Sequence, residues 1–231
     1  MYLLRPVQDR VPLLLALTLA SVTACSGTAT GTLAENDAGP SRNGSSGASG
    51  ATVTDGPADT PQPAAPPTKK RAFVTSQAYD GDLKSKVPSA ASGVEAGDAL
   101  CQLAADAALL NGKFKAFLAS GGAPPTDRLA EVGPWFLVDK SGAEQRLFNN
   151  RANMATQPLV AFSNDERGEP VGSEWAWTGA SGLDCEGWTK SPGGYEGMAG
   201  FALSRDASWR GNSSGIGAPC NRAYRLYCFE Q

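Results

Sequence analysis

Residues 220–230 read Cys-Asn-Arg-Ala-Tyr-Arg-Leu-Tyr-Cys-Phe-Glu, and no other stretch of the sequence says as much about the fold. From Ala223 to Phe229 the segment is rich in aromatic and large aliphatic residues, which is typical of a β-strand. Cys220 lies just before this predicted strand, and Cys228 lies within it. The segment therefore joins one predicted strand to two of the five cysteines in the chain.

The beginning of the chain has the features of an export signal. A basic start is followed by an apolar core at residues 11–19, which is shorter than the roughly 20 residues that span a bilayer. Residues 22–25, Val-Thr-Ala-Cys, resemble the lipobox of bacterial lipoproteins, in which the cysteine becomes the lipidated first residue after cleavage. We therefore expect a signal peptide over residues 1–24 and lipidation of Cys25. The alternative is a plain secreted protein that is cut near Ala24.

The residue after the predicted lipidation site bears on location. Ser26 stands there rather than an aspartate, and in this the chain resembles lipoproteins that are sorted to the outer membrane. We therefore expect an outer membrane lipoprotein that faces the periplasm or the exterior. Its lipid anchor would make the membrane a partner.

The other four cysteines form an even set, which suits two disulfides in an oxidising compartment. Zinc binding is the alternative, but no two of them have the Cys-x-x-Cys spacing that is common in zinc sites. Disulfides are therefore favoured. These four cysteines are Cys101, Cys185, Cys220 and Cys228.

Composition and charge exclude several functional classes. The chain has no histidine, which excludes His-based catalytic triads, Cys–His nucleophiles and histidine metal ligands. Its net charge is −3, so nucleic acid is a poor candidate as a partner. No catalytic residue is predicted, and we expect a protein that is not an enzyme.

A change of composition near residue 70 divides the chain. From Ser26 to about Thr68 it consists mainly of Gly, Ser, Ala, Thr, Asp and Pro, without an aromatic residue. Such a segment buries too little apolar surface to offset the entropy lost on ordering. Its proline-rich end, residues 60–68, favours polyproline II. We predict a lipidated, disordered tether over residues 25–70 and one folded domain over residues 71–231.

The predicted domain mixes helices and strands. Ser92 and Glu95 form a capping-box pattern, and small residues at helical spacing continue to about Leu109. Gly193 to Pro219 is rich in Gly, Ser and Asn and is expected to be mostly loop. These patterns favour an α+β domain. Strands are predicted at residues 72–75, 135–139, 158–162, 174–178 and 223–229, with short helical or irregular pieces at 113–120 and 126–132.

Two blocks of the sequence are similar to endostatin and the C-type lectins. The first joins Gly-Asp-Ala-Leu-Cys at 97–101 to Gly-Lys-Phe-Lys-Ala-Phe-Leu-Ala-Ser at 112–120. The second runs from Trp-Thr-Gly at 177–179 through Cys-Glu-Gly-Trp-Thr at 185–189 to residues 220–230. The resemblance implies helices packed on a mixed, mostly antiparallel sheet with long loops.

The resemblance also implies a nested disulfide pairing, with Cys101–Cys228 outside and Cys185–Cys220 inside. Other family features do not carry over. Endostatin binds zinc through histidines, which this chain lacks, and residues 121–125 read Gly-Gly-Ala-Pro-Pro where endostatin has heparin-binding arginines. Calcium lectins use Glu-Pro-Asn and Trp-Asn-Asp. Here Val171 follows the Glu-Pro pair, and Arg210 follows Trp209.

An acidic loop is the only candidate for cation binding. It contains Asp165, Glu166 and Glu169, with Asp184 and Glu186 further along the chain. Calcium prefers several oxygen ligands, so a calcium site is conceivable here. A solvated loop is favoured instead because no spaced calcium motif is present. No cofactor is therefore predicted.

The loop from Gly193 to Pro219 is the predicted ligand-binding surface. A sugar site needs an aromatic face for the C–H surface and planar polar groups for the hydroxyls. Trp209 is predicted to be that aromatic face, and a half-buried loop anchor is the alternative for this residue. The predicted ligand-binding residues are Tyr195, Asp206, Trp209, Arg210 and Asn212.

Export and the family resemblance together favour a surface-anchored recognition module, lectin-like or adhesive, for a glycan or a protein. One alternative is a structural cell-envelope lipoprotein without a dedicated ligand. The other is a hydrolase that uses carboxylates.

Overall fold

The computed structural model describes residues 68–211 and 214–231. The predicted signal peptide, the lipidation of Cys25 and nearly all of the tether lie outside these residues and stay predictions. Asn212 lies outside them as well.

The described part of the chain has an α+β fold built on a mixed sheet, as the sequence predicts. Two α-helices follow the first strand, namely α1 (Leu83–Lys86) and α2 (Gly93–Ala107). A third element, the single helical turn α3 (Cys185–Trp188), lies later in the chain, and its four residues take positive φ. Short 3₁₀ turns lie at Pro125–Arg128, Arg151–Ala155, Ala180–Gly182 and Ala207–Trp209. The strands are β1 (Lys70–Val74), β2 (Phe114–Ala116), β3 (Trp135–Leu137), β4 (Arg146–Phe148), β5 (Trp175–Trp177), β6 (Glu196–Gly197), β7 (Ala199–Phe201), β8 (Ala218–Pro219) and β9 (Arg225–Glu230).

The terminal strand β9 lies at the centre of the main sheet. On one side it pairs antiparallel with β1, where Phe73 lies opposite Cys228. On its other side it pairs antiparallel with β2 and parallel with β5. The remaining strands extend the sheet in the order β4-β3-β1-β9-β5-β7, and β6 and β8 form a separate small ribbon. The segment from Cys220 to Glu230 therefore organises the main sheet.

Both disulfides are present, in the pairing that the family resemblance implies. Cys101–Cys228 has a Cα–Cα distance of 5.5 Å and ties α2 to β9. Cys185–Cys220, at 5.8 Å, closes the loop region that contains β6, β7 and β8. Gly81 packs directly against this second bridge, because a Cβ at that position would overlap the sulfur of Cys185.

Alternation along β9 gives the sheet two buried faces. Leu226 and Cys228 belong to the hydrophobic cluster under α2. Tyr227 and Phe229 point the other way, into a second cluster that is covered by loops instead of a helix. Successive strand residues point to opposite faces of a sheet. A strand that is apolar at every one of these positions is therefore buried on both sides.

The helix α2 begins at the predicted cap. The Ser92 hydroxyl accepts from the Glu95 amide at 3.2 Å, and the Glu95 carboxylate accepts from the Ala91 amide at 2.8 Å. The helix ends at Ala107, two residues before the predicted end, where Leu109 takes a positive φ of 57°. Among the residues that the structure describes, no helix is long and apolar enough to cross a membrane.

Candidate ligand-binding cleft

Trp209 lies in the second hydrophobic cluster and exposes 0% of its surface. Its ring centroid is 4.7 Å from that of Phe117 and 5.2 Å from that of Phe148. Its indole nitrogen donates to the carbonyl of Thr156 at 3.1 Å. The prediction that Trp209 offers a face to a ligand is therefore wrong, because the loop folds back and fills the face of the sheet that no helix covers.

Asp206 supports this inward turn and does not extend toward a ligand. Its carboxylate accepts from the hydroxyls of Ser204 and Ser208, at 2.6 and 2.5 Å, and from the Ser208 amide at 2.9 Å. These hydrogen bonds lower the pKa of Asp206 from its usual 3.8 to about 2. Asp206 thus caps the 3₁₀ turn Ala207–Trp209.

Tyr195 and Arg210, the other predicted ligand residues that the structure describes, line different hollows. Tyr195 is exposed beside an acidic hollow lined by Asp184, Glu186 and Glu196, and the Lys190 ammonium lies 5.9 Å from its ring centroid. Arg210 opens onto a different hollow. The predicted set is therefore not one site among the described residues, since Trp209 lies in the core, the exposed Asp206 caps a turn, and Tyr195 and Arg210 line different hollows.

The acidic loop separates its carboxylates. Asp165 accepts from the amides of Arg167 and Glu169 inside its own turn. Glu166 is directed into the protein, and Glu169 pairs with Lys140 at 2.7 Å on the surface. Within the described ranges, no group of three or more His, Cys, Asp or Glu side chains is arranged to hold a metal ion.

One open groove, of about 720 Å³, runs between α2 and β2, but its polar groups bind one another. Asp98 pairs with Arg128 at 2.6 Å and accepts from the Ala116 amide at 2.9 Å. Burial raises the pKa of Asp98, although Arg128 opposes this. Gln102 accepts from the Phe114 amide and donates to Asp106. The groove therefore offers few unsatisfied groups to a ligand.

A second cleft, of about 740 Å³, combines an apolar wall with polar groups, and we call it the α2 cleft. Its apolar wall comes from Leu100, Leu103 and Ala104 of α2. Its polar wall is the segment after β1. Small-molecule sites commonly occupy about 300–1,000 Å³ and place a few polar groups against apolar surface. The polar residues that line the cleft are Thr75, Ser76, Gln77, Tyr79, Asp80, Lys86, Glu166, Arg167 and Asn221.

The polar wall of the α2 cleft is held by one half-buried and one buried charged residue, Arg225 and Glu166. Arg225 donates to the carbonyls of Thr75 and Ser76, at 2.7 and 2.6 Å. Glu166, which is only 2% exposed, accepts from the Ser76 amide at 2.8 Å and from the Ser76 hydroxyl at 2.5 Å. Charge-assisted hydrogen bonds of this kind are the stronger ones in proteins. The backbone at the end of β1 is therefore fixed before any ligand arrives.

Several polar groups of the α2 cleft have no partner in the described part of the chain. The side chains of Gln77, Arg167 and Asn221 are exposed and make no hydrogen bond or ion pair there. Tyr79 is half-buried, and its pKa is raised first by burial and then by the charge of Glu166. Its hydroxyl therefore stays protonated at neutral pH and can donate.

The cleft was not predicted from the sequence, and only Glu166 was singled out, as part of the acidic loop. Thr75 ends the first predicted strand, and no ligand-binding residue was predicted between Ser76 and Asp80. Tyr79 and Gln77 carry no spacing motif that marks them as a site. The pairing of β1 with β9 brings this segment to the cleft, and no local sequence pattern encodes that pairing.

Neither a protein-family model nor a curated protein sequence matches the chain. The geometry of the described residues is therefore the basis for a functional proposal.

Proposed function

We propose that the chain is a surface-anchored recognition module that binds a glycan in the α2 cleft and has no catalytic activity. The observation that carries this proposal is the arrangement of Gln77, Tyr79 and Asn221 opposite the apolar side chains of α2. A hexose presents C–H surface on one side and hydroxyls around its rim, and such a ligand needs both kinds of contact.

We propose that the chain lacks catalytic activity because both carboxyl groups that line the α2 cleft, those of Glu166 and Asp80, accept hydrogen bonds from the protein. Glu166 is buried and accepts two hydrogen bonds from Ser76. Asp80 accepts from Lys86 at 3.2 Å and from the Asp82 amide at 3.2 Å. A carboxylate-based hydrolase needs one acid to donate a proton to the leaving group, while a second acts as base or nucleophile. Both carboxyl groups are already engaged by other groups of the protein, so neither is free to face a glycosidic bond.

We further propose an endostatin-like or C-type lectin-like domain over residues 71–231, carried on the tether and the lipid anchor at Cys25. The α+β class and the nested disulfides support the domain. The disulfides also support export, because they form in oxidising compartments. A Cys25→Ala variant should lose membrane partitioning, and retention in the membrane fraction would contradict the anchor.

A glycan array, run with and without calcium, tests the recognition function. We expect the full chain to bind a limited set of glycans, and we expect Tyr79→Phe and Gln77→Ala to weaken that binding by about tenfold each, since each removes one hydrogen bond to a ligand. Tyr195→Phe is the matched control, because it removes a tyrosine hydroxyl outside the cleft. Equal losses in Tyr195→Phe and Tyr79→Phe would contradict the site. The absence of any bound glycan would favour a structural envelope role.

A further inference from the structure

A separate cavity of about 470 Å³ has Arg210 among the residues that line it. Its walls are mostly apolar and include Phe117, Pro124, Ala155 and Ala180. The hydroxyl residues Thr126 and Ser181 also line it, and no acidic residue does. The cavity lies apart from the α2 cleft, with which it shares no lining residue.

The fold holds the backbone of Arg210 in place. Its carbonyl accepts from the Thr178 hydroxyl at 2.6 Å, and its amide donates to the carbonyl of Ala207 at 3.3 Å. The preceding residue, Trp209, is fully buried. The side chain of Arg210 therefore starts from a fixed point at the edge of the cavity.

The guanidinium of Arg210 differs from every comparable group in the described ranges. Five arginines there are half-buried, and four of them pair with an acid. Arg210 is the fifth, and within the described residues its guanidinium makes neither a hydrogen bond nor an ion pair. The four pairs are Arg71–Glu230, Arg128–Asp98, Arg151–Glu131 and Arg225–Glu174. A half-buried cation that has no partner among the described residues and lies beside apolar walls is a ready site for an anion.

We propose that this cavity binds a monoanionic carboxylate that carries an apolar body, such as an aromatic or short aliphatic acid. The planar guanidinium of Arg210 matches the two oxygens of a carboxylate. One positive charge balances one negative charge, whereas a dianionic phosphate would leave an excess charge beside the apolar walls. The body of the ligand would then pack against Phe117, Pro124 and Ala155.

Benzoate is a suitable probe for this site. It should cause saturable shifts in the side-chain Nε–H signal of Arg210 and in the amide signals of Thr126 and Ser181, measured by NMR on the ¹⁵N-labelled full chain. Benzamide has the same ring without the charge and should bind at least about tenfold more weakly, because the charge-assisted hydrogen bonds are lost. Phenyl phosphate, as its dianion, should also bind more weakly than benzoate.

Two variants test separately how the positive charge and the space of the cavity contribute to benzoate binding. Arg210→Gln removes the cation and Ala155→Leu fills part of the space, and each should abolish the benzoate shifts while the rest of the spectrum stays that of the folded protein. Arg222→Gln is the matched control, because Arg222 is exposed and lies outside this cavity. Benzoate binding that survives in Arg210→Gln, or equal binding of benzamide, would overturn the proposal. Neither outcome bears on the glycan site, which lies in the α2 cleft.

Discussion

At the scale of single residues, Asp206 and Trp209 act together in one short turn. The Asp206 carboxylate caps the turn, and the indole of Trp209 packs within the second hydrophobic cluster. The main-chain carbonyl of Trp209 also accepts from the buried hydroxyl of Tyr227 at 2.8 Å. This turn therefore has a structural role.

Replacement of the buried indole gives the first prediction. Trp209→Ala should lower the free energy of unfolding by about 3–5 kcal/mol, because it leaves a cavity among packed aromatic rings. Urea denaturation followed by fluorescence or circular dichroism measures the change. Trp175→Ala is a useful control, since Trp175 is 39% exposed, and it should cost much less. A loss in Trp209→Ala no larger than in that control would contradict the packing role.

The lowered pKa of Asp206 predicts a particular dependence of stability on pH. In the folded protein this pKa is about 2, below its usual 3.8. The hydrogen bonds of the carboxylate therefore stabilise the fold fully above about pH 4, and their contribution is lost as the pH falls toward 2. Asp206→Ala should be less stable than the natural protein at pH 6, and the difference should shrink between pH 4 and pH 2. A difference that does not change with pH would show that the carboxylate charge has no part in it.

At the scale of elements, the strand β7 and the turn that contains Trp209 are in direct contact. A Cβ on Gly200 would overlap the carbonyl oxygen of Trp209, and that oxygen belongs to the backbone. The two elements can approach this closely only because Gly200 has no side chain. β7 is antiparallel to β5, so this contact also positions the edge of the main sheet.

Gly200→Ala should therefore destabilise the protein by about 1–3 kcal/mol or more, as overpacked positions do. Gly194→Ala is the matched control, because nothing lies within 4 Å of a Cβ at that position. Thermal melts of the two variants give the comparison. Equal melting temperatures would mean that β7 and the turn do not need their close contact.

Two of the predicted elements were wrong. Residues 158–162 were predicted as a strand but form an irregular segment, with isolated backbone bonds from Leu159 to Leu147 and from Phe162 to Ala202. Their apolar character comes from burial of Phe162 in the second cluster. Residues 113–120 were predicted as helical or irregular and contain the short strand β2. An apolar run indicates burial more reliably than it indicates whether the buried segment is a helix, a strand or irregular.

At the scale of the whole molecule, the two disulfides tie together parts of the chain that are far apart in sequence. Cys101–Cys228 spans 127 residues, and Cys185–Cys220 spans 35. By loop-closure entropy, the longer bridge should contribute about 4–5 kcal/mol and the shorter about 3–4 kcal/mol. Both bridges end in the first hydrophobic cluster.

Removal of each disulfide in turn tests which of the two contributes more to stability. The double variant Cys101→Ala with Cys228→Ala should lose more stability than Cys185→Ala with Cys220→Ala, and chemical denaturation measures both. Peptide mapping of the unreduced protein should recover the same two pairs. Recovery of Cys101 joined to Cys185 would contradict both the pairing and the proposed family resemblance.

The local elements and the number of disulfides follow from patterns within the sequence. The capping pattern at Ser92 and Glu95 predicted where α2 begins, because a cap depends only on residues within one helical turn. The aromatic run that includes Tyr227 predicted the strand β9, and the even set of cysteines predicted two disulfides. Each of these properties depends on neighbours along the chain or on a count.

The face that each loop residue occupies depends on tertiary contacts and does not follow from local sequence. Trp209 lies in the core because no helix covers that face of the sheet, and no pattern within the loop states this. The α2 cleft joins Tyr79, Leu103, Glu166 and Asn221, which are separated by long stretches of sequence and meet only in the folded domain. Such contacts depend on the order of strands in the sheet, and local propensity does not encode that order because it arises from burial of the whole chain.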